Sequence, residues 1–272
     1  MKRFALLVLL AAALLSACGP VATPAPVPGG VIPEPRTLTI FAAASLTDAF
    51  TEISHNFEAA DPGVTVALNF AGSQTLSTQI TQGAVADVFA SANHTEMDKL
   101  VSAGLVQQDA PQDFLTNKLV VILPSNNPAN VQTLQDLSRT GLKLVLVADT
   151  VPAGKYARQI LANLSKHPSF GADFQTRVLA NVVSNENDVK LVVAKVQLGE
   201  ADAGIVYISD SIAAPQLLTI EIPTNFNVVA KYPIAALINA PQTDLAAGFI
   251  AYVLSPDGQA ILKKWGFTPV TP

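Results

Sequence analysis

The segment LTIFAAASLTDAF, residues 38–50, predicts the unit from which the fold is built. Its first four residues are apolar or β-branched, which is typical of a buried strand. Three alanines follow, and Ser45 then opens a stretch in which apolar residues recur at helical spacing as far as Phe57. The segment therefore predicts a strand, a turn and an amphipathic helix, with a single hydroxyl group at the junction.

The same alternation continues along the chain. VTVALNFA (64–71) and DVFASAN (87–93) have the composition of strands, and SQTLSTQITQG (73–83) and HTEMDKLVSAG (94–104) that of helices. The Asp61-Pro62-Gly63 turn ends the first helix. This β-α-β-α order predicts a mostly parallel sheet flanked by helices.

A second α/β unit follows the strand-like segment LVVILPS (119–125). It contains predicted strands at 142–148 and 202–208 and predicted helices at 152–164 and 185–198. NVVAKYPIAALI (227–238) then predicts a strand that returns toward the first unit, and two helices end the chain. Two such units joined by two extended crossings leave a cleft between them, which is where ligands tend to bind.

The N-terminus has the features of a lipoprotein export signal. Residues 1–17 contain Lys2 and Arg3, a short apolar run and small residues, and Leu-Ser-Ala-Cys ends at Cys18, the only cysteine of the chain. We expect cleavage before an acylated Cys18; an ordinary signal peptide with a chance cysteine is the alternative. Residues 18–36, rich in Pro and Gly, are then expected to form a tether between the lipid and the folded part.

Composition limits the classes of partner. The chain of 272 residues has a net charge of −5 and no basic run, so nucleic acid is not an expected partner. The three histidines, His55, His94 and His167, are scattered on polar segments, which argues against a metal site. We expect no cofactor and no enzymatic activity.

Four small or apolar residues stand at predicted helix starts on both units. They are Ser45, Ser73, Ala153 and Val189. The first N–H groups of a helix have no helical carbonyl to bind, so several helix starts aimed at one point form an anion site. The alternative for each serine is a simple helix cap.

Six segments occur in an order that resembles one family: FAAASLTDAF, NFAGSQTLSTQITQGAVADVFASAN, NKLVVILP, VPAGKYAR, NENDVK and DAGIVYISD. The chain resembles the periplasmic molybdate-binding proteins of molybdate ABC importers. The resemblance implies a two-lobe α/β periplasmic-binding-protein fold with mostly parallel sheets. Lobe 1 would comprise residues 37–117 and 232–272 and lobe 2 residues 118–231, with hinge crossings near 117–119 and 230–232.

The resemblance also implies a ligand set and a setting. Molybdate or tungstate would contact Ser45, Ser73, Ala153, Val189 and Tyr207 through its oxygens, with no protein atom bound to the metal. The protein would act as a monomer outside the cytoplasm and would deliver its ligand to an ABC permease. The lipoprotein signal and the long tether depart from the freely soluble form of the family and point to an anchored version.

An oxyanion of this kind only accepts hydrogen bonds, and Ser, Tyr and backbone N–H groups can all donate. Three alternatives stay open at this point. The ligand could be another oxyanion or a small organic anion. The protein could be a cell-surface hydrolase with Ser45 or Ser73 as nucleophile, although no paired base is visible. It could also be an anchored adhesion module without a ligand.

Overall fold

A computed structural model describes residues 34–270. Cys18, the signal at 1–17 and all but the last residues of the expected tether lie outside the described residues. The opening segment forms strand β1 (Arg36–Ala43), a 3-10 turn (Ala44–Leu46) and helix α1 (Thr47–Ala60), as the sequence predicts.

The remaining elements follow in chain order. They are β2 (Val64–Ala71), α2 (Ser73–Thr81), β3 (Val88–Ala90), α3 (His94–Ser102), β4 (Gln112–Asn117), β5 (Leu119–Leu123), a second 3-10 turn (Leu134–Ser138), β6 (Leu144–Val147), α4 (Pro152–Ser165), α5 (Phe174–Ala180), β7 (Val182–Glu186), α6 (Val189–Gln197), β8 (Ala203–Tyr207), α7 (Ile208–Ile212), β9 (Leu218–Glu221), β10 (Ala230–Ala236), α8 (Thr243–Leu254), α9 (Pro256–Lys264) and β11 (Thr268–Pro269).

These strands form two sheets. The first has the order β11-β4-β10-β3-β1-β2 and the second the order β7-β6-β8-β5-β9. Helices α1, α2, α3, α8 and α9 pack on the first sheet or on one another, and α4 to α7 belong with the second. We call each sheet with its helices a lobe.

Both sheets are mixed rather than mostly parallel, which corrects that part of the prediction. β1 pairs in parallel with β2 and β3, and β6 with β7 and β8. In contrast, β10 pairs antiparallel with β3 and β4, and β5 with β8 and β9. Each antiparallel pair contains β4, β5 or β10, the strands next to the crossings between the lobes.

The chain passes between the lobes twice. Only Lys118 separates β4 of the first sheet from β5 of the second. The return crossing is formed by residues 222–229, and Ala230 and Lys231 already pair with β4 in the first sheet. Asn227 ties the two crossings together, because its side chain accepts from the N–H of Leu119 (3.1 Å) and donates to its carbonyl (2.8 Å).

Several elements differ from the sequence-based prediction. The helix expected from residue 185 begins only at Val189, because Asp188 caps α6 by accepting from the N–H of Leu191 (3.1 Å). The residues before it extend into β7. The strands β4, β9 and β11 and the helices α5 and α7 were not predicted from the sequence.

A chain of aromatic rings fixes the strand that returns from the second lobe. Phe50 of α1 packs against Phe114 of β4 with ring centroids 5.9 Å apart, and Phe114 packs edge-on against Tyr232 of β10 at 6.4 Å. Tyr232 also packs edge-on against Tyr207 of β8, at 5.8 Å. The two tyrosines therefore join the lobes at the base of the cleft.

Within residues 34–270, no single helix has the length and apolar character needed to cross a membrane, and only the bent pair α8 and α9 meets those criteria when taken together.

Candidate functional site

A small cavity lies between the lobes. The structure brings all five residues named from the sequence to its wall: Ser45 and Ser73 from the first lobe, and Ala153, Val189 and Tyr207 from the second. The rest of the lining consists of Ala43, Ala44, Gly72, Ala92, Val151, Pro152 and Asp188. No lysine or arginine is among these lining residues.

The starts of one 3-10 turn and three helices lie at this cavity. Ser45 lies in the 3-10 turn after β1, and Ser73 is the first residue of α2. Ala153 follows Pro152 in the first turn of α4, and Val189 is the first residue of α6. The amides at these positions lack helical acceptors, and the positive ends of the helix dipoles add to their attraction for an anion.

Neither serine is a helix cap. The residues in the capping positions are Ala43 for the 3-10 turn and Gly72 for α2, and neither provides a side-chain cap. The Ser73 hydroxyl oxygen instead accepts from the N–H of Ala92 (3.0 Å), which leaves its hydrogen free to donate elsewhere. The Ser45 hydroxyl is hydrogen-bonded to the hydroxyl of Tyr232 at 2.9 Å.

Tyr207 presents a buried hydroxyl at the end of β8. The residue is 2% exposed, and its hydroxyl has no hydrogen-bond partner among the described residues. A buried polar group without a partner costs free energy, so an acceptor in the cavity would relieve that cost. Burial raises the pKa of Tyr207 well above its ordinary value, so the hydroxyl stays protonated and can only gain by donating.

The nearest ammonium group is neutralised by carboxylates. Lys190, next to the cavity residue Val189, lies 2.6 Å from Asp48 and 3.5 Å from Asp210. Burial lowers the pKa of Lys190, but the charges of Asp210 and Asp48 outweigh this effect and raise it. The site thus offers neutral donors from its serines, Tyr207 and backbone N–H groups. Asp188 is the charged residue among those that line it, and the ammonium group of Lys190 is already paired.

Contacts across the cleft close the cavity. Lys190 of α6 reaches Asp48 of α1, and the Gln74 side chain donates to the carbonyl of Asn187 (3.3 Å). Gly72 lies so close to the same carbonyl that an added Cβ would be 2.6 Å from its oxygen. The lobes are therefore closed in this structure.

In the part of the chain that the structure describes, neither serine has a histidine beside it in the cavity. His94 pairs with Asp113, His167 with Ser169, and none of the three histidines lines the cavity. No three His, Cys, Asp or Glu side chains in residues 34–270 cluster in a way that could hold a metal ion. The arrangement suits binding an acceptor-only anion rather than bond cleavage.

The comparisons agree with this chemistry. Residues 38–268 match the family described as bacterial extracellular solute-binding protein, and the chain belongs to that family. Membership confirms the expected class, a solute-binding protein and not an enzyme.

Three relatives are informative. The chain is 41% identical over 254 residues to the molybdate-binding protein ModA of Mycobacterium tuberculosis, covering 93% of this chain and 92% of the relative. It is 30% identical to the putative ABC transporter substrate-binding lipoprotein YvgL of Bacillus subtilis, covering 85% and 86%. The structure of the Azotobacter vinelandii periplasmic molybdate-binding protein superposes with a TM-score of 0.73 at 21% identity, covering 86% and 99%. The resemblance read from the motifs and the two-lobe fold are thereby confirmed.

The sequence analysis missed Tyr232, Asp48 and Lys190. Tyr232 sits in a strand-like segment where an aromatic residue is unremarkable, and its partner Ser45 is 187 residues away. Asp48 and Lys190 are separated by 142 residues. A local sequence motif cannot predict contacts between residues so far apart in the chain. The only available signal was that Asp48 and Lys190 each lie close to a helix start predicted to bind an anion.

Proposed function

We propose that this protein captures molybdate, and also tungstate, in the cleft between its lobes and presents it to the permease of an ABC importer. The observation that carries the proposal is the unpartnered buried hydroxyl of Tyr207, which shares one cavity with Ser45, Ser73 and the starts of α4 and α6. The 41% identity to a protein named for binding molybdate supports the same ligand.

The donor count is sufficient for tight binding. Three hydroxyls and about four amides give roughly seven hydrogen bonds. At about 1.5–3 kcal/mol for each bond to a charged group, the gross gain is about 10–20 kcal/mol, from which desolvation and closure subtract heavily. A net affinity that is micromolar or tighter corresponds to about −8 kcal/mol or below.

Fixed donors also provide selectivity by size. Sulfate carries the same charge as molybdate but is smaller, so it cannot reach all donors at once. Tungstate is nearly the same size as molybdate and should bind similarly.

Calorimetry with molybdate, tungstate, sulfate and phosphate tests the proposal. Molybdate and tungstate should bind at least about tenfold more tightly than sulfate, which is about 1.4 kcal/mol. Equal affinity for sulfate, or a response only to an organic anion, would overturn it.

We further propose the setting that the N-terminal sequence predicts. Residues 1–17 would be removed, Cys18 acylated, and residues 18–36 would tether a monomer to the outer face of the membrane. The lobes would comprise residues 37–117 with 230–272, and 118–229, because β10 begins at Ala230 in the first sheet, two residues before the bound of 232 expected from the sequence. The name of the Bacillus subtilis relative, a lipoprotein, supports the anchor. The variant Cys18→Ala should move the protein from the membrane fraction to the soluble one; an unchanged distribution would refute the anchor.

A further inference from the structure

One hydrogen bond beside the cavity joins a ligand-facing serine to a residue that does not line the cavity. The hydroxyls of Ser45 and Tyr232 lie 2.9 Å apart. Tyr232 is fully buried in β10, and its ring is packed between Phe114 and Tyr207. Distance alone allows either hydroxyl to be the donor. If Tyr232 donates, Ser45 keeps its own hydrogen for a ligand. If Ser45 donates to Tyr232, it can only accept a hydrogen bond from a ligand.

The surroundings of Tyr232 decide the direction. Burial raises the pKa of its hydroxyl far above the ordinary value, so the proton is retained. That proton needs an acceptor, and Ser45 Oγ is the hydrogen-bond partner that the described residues provide. The neighbouring Tyr207 hydroxyl has no hydrogen-bond partner within residues 34–270, so it does not accept this proton. If Ser45 were the donor, the buried O–H of Tyr232 would be left without an acceptor.

We propose that Tyr232 is a positioning residue for the oxyanion site. By donating to Ser45 Oγ, it directs the Ser45 hydrogen into the cavity and fixes this hydroxyl as a donor to the ligand. The inference rests on the proposed function. It adds that Tyr232 makes Ser45 the donor, and the ligand the acceptor, in the hydrogen bond between them. Ser73 is set in the same way by a backbone group, since its oxygen accepts from the N–H of Ala92.

A double-mutant cycle separates this role from a general packing role. Tyr232→Phe keeps the ring and removes the hydroxyl, and with it the hydrogen bond to Ser45. In the otherwise unchanged protein and in a Ser73→Ala background, it should weaken molybdate binding about fivefold or more. In a Ser45→Ala background it should change the affinity less than about twofold, because the hydroxyl it positions is already absent. Tyr252→Phe, a change in α8 away from the cavity, is the matched control and should have no effect.

The outcomes are distinct. Similar losses from Tyr232→Phe in all three backgrounds, or no loss in the unchanged protein, would overturn the positioning role while leaving the proposed function intact. An unchanged protein that binds no molybdate would overturn the proposed function, and the role of Tyr232 with it.

Should Tyr232→Phe fail to fold, the unsubstituted protein provides the answer by NMR. The Tyr232 hydroxyl proton is expected as a slowly exchanging resonance with cross-peaks to the Cβ protons of Ser45. Absence of this resonance, or cross-peaks to another residue instead, would overturn the assignment of Tyr232 as the donor.

Discussion

The ammonium group of Lys190 lies 2.6 Å from the carboxylate of Asp48 and thereby joins the first turn of α6 in one lobe to the first turn of α1 in the other. The ion pair stands beside the cavity, because Val189 precedes Lys190 and Ser45 lies one helical turn before Asp48. Binding of the oxyanion and formation of this pair both require the lobes to be closed, so the two events should favour each other.

Lys190→Met should therefore weaken ligand binding without altering any ligand contact. The substitution keeps an unbranched side chain of nearly the same length but removes the charge that links the lobes. The closed form should therefore lose about 1 kcal/mol, or roughly fivefold in the Kd for molybdate. Calorimetry measures the change. Lys264→Met is the matched control, since Lys264 pairs with Glu52 within the first lobe (2.8 Å). An equal loss in both variants would argue against a link between the Lys190 pair and closure.

Gly72→Ala should hinder closure by a direct clash. The backbone of Gly72 (φ −58°, ψ 137°) is compatible with alanine, so the open protein should fold normally. In the closed form the new Cβ would lie 2.6 Å from the carbonyl oxygen of Asn187 in the opposite lobe. Overpacking of this kind costs about 1–3 kcal/mol, so we expect the molybdate affinity to fall by about tenfold with little change in the stability of the unliganded protein.

The control for this prediction is Gly248→Ala. Gly248 lies in α8, where the nearest atoms to an added Cβ are 3.8 Å away. This substitution should leave the affinity unchanged and increase the free energy of unfolding by about 0.5–1 kcal/mol, because alanine favours the helix. A Gly72→Ala variant that binds as tightly as the unchanged protein would show that the lobes need not approach this closely.

Tyr207→Phe should separate binding from stability. Its hydroxyl is buried without a partner among the described residues, so its removal should not lower the free energy of unfolding of the unliganded protein. With the ligand bound, the same substitution removes one donor to a charge and should cost about 1–3 kcal/mol, or roughly 5- to 150-fold in Kd. Paired measurements of urea unfolding and ligand affinity check both halves. An unaltered Kd would remove Tyr207 from the site.

Asp210 should make the stability depend on pH in an unusual direction. Burial raises the pKa of its carboxyl from 3.8 to about 6, although Lys190 opposes the shift. Asp48 adds to the increase, and the N–H of Tyr207 donates to the carboxylate (3.2 Å). The folded protein therefore holds a proton that the unfolded chain has lost between about pH 4 and 6, so this group's contribution to stability falls as the pH rises through that window.

Asp210→Asn removes this titration. The difference in free energy of unfolding, variant minus unchanged protein, should be largest above pH 6. It should fall by up to about 3 kcal/mol as the pH is lowered to about 4, because the unchanged protein gains stability over that range. Asp244→Asn gives a contrast, because a hydrogen bond from Arg36 lowers the pKa of the exposed Asp244 and the sign is reversed. Urea unfolding across the pH range measures both. A difference independent of pH would contradict the prediction for Asp210.

Local patterns explain which parts of the fold could be predicted. Residues 38–104 alternate clearly between period-2 and period-3.6 patterns, and their strands and helices appear as expected. β10 lies between β3 and β4, far from both in sequence, so its direction could not be read from any local pattern. The short strands β4 and β9 lack a distinctive composition and were missed.

The residues of the candidate site also fall into those that a local sequence pattern predicts and those that only the three-dimensional structure shows. Ser45, Ser73, Ala153 and Val189 could be named because each stands at a helix start, a feature that a single segment reveals. Tyr207 required the resemblance, since a tyrosine ending a strand is common. Tyr232 and the Lys190–Asp48 pair depend on how the two lobes meet, and only the three-dimensional structure shows that.

The most direct test of the central claim is a crystal structure of the protein grown with molybdate, with the metal located by its anomalous scattering. The account predicts one anomalous peak in the cleft, with oxygens of the anion within hydrogen-bonding distance of the hydroxyls of Ser45, Ser73 and Tyr207. An anion bound elsewhere, or contacted by only one lobe, would contradict it.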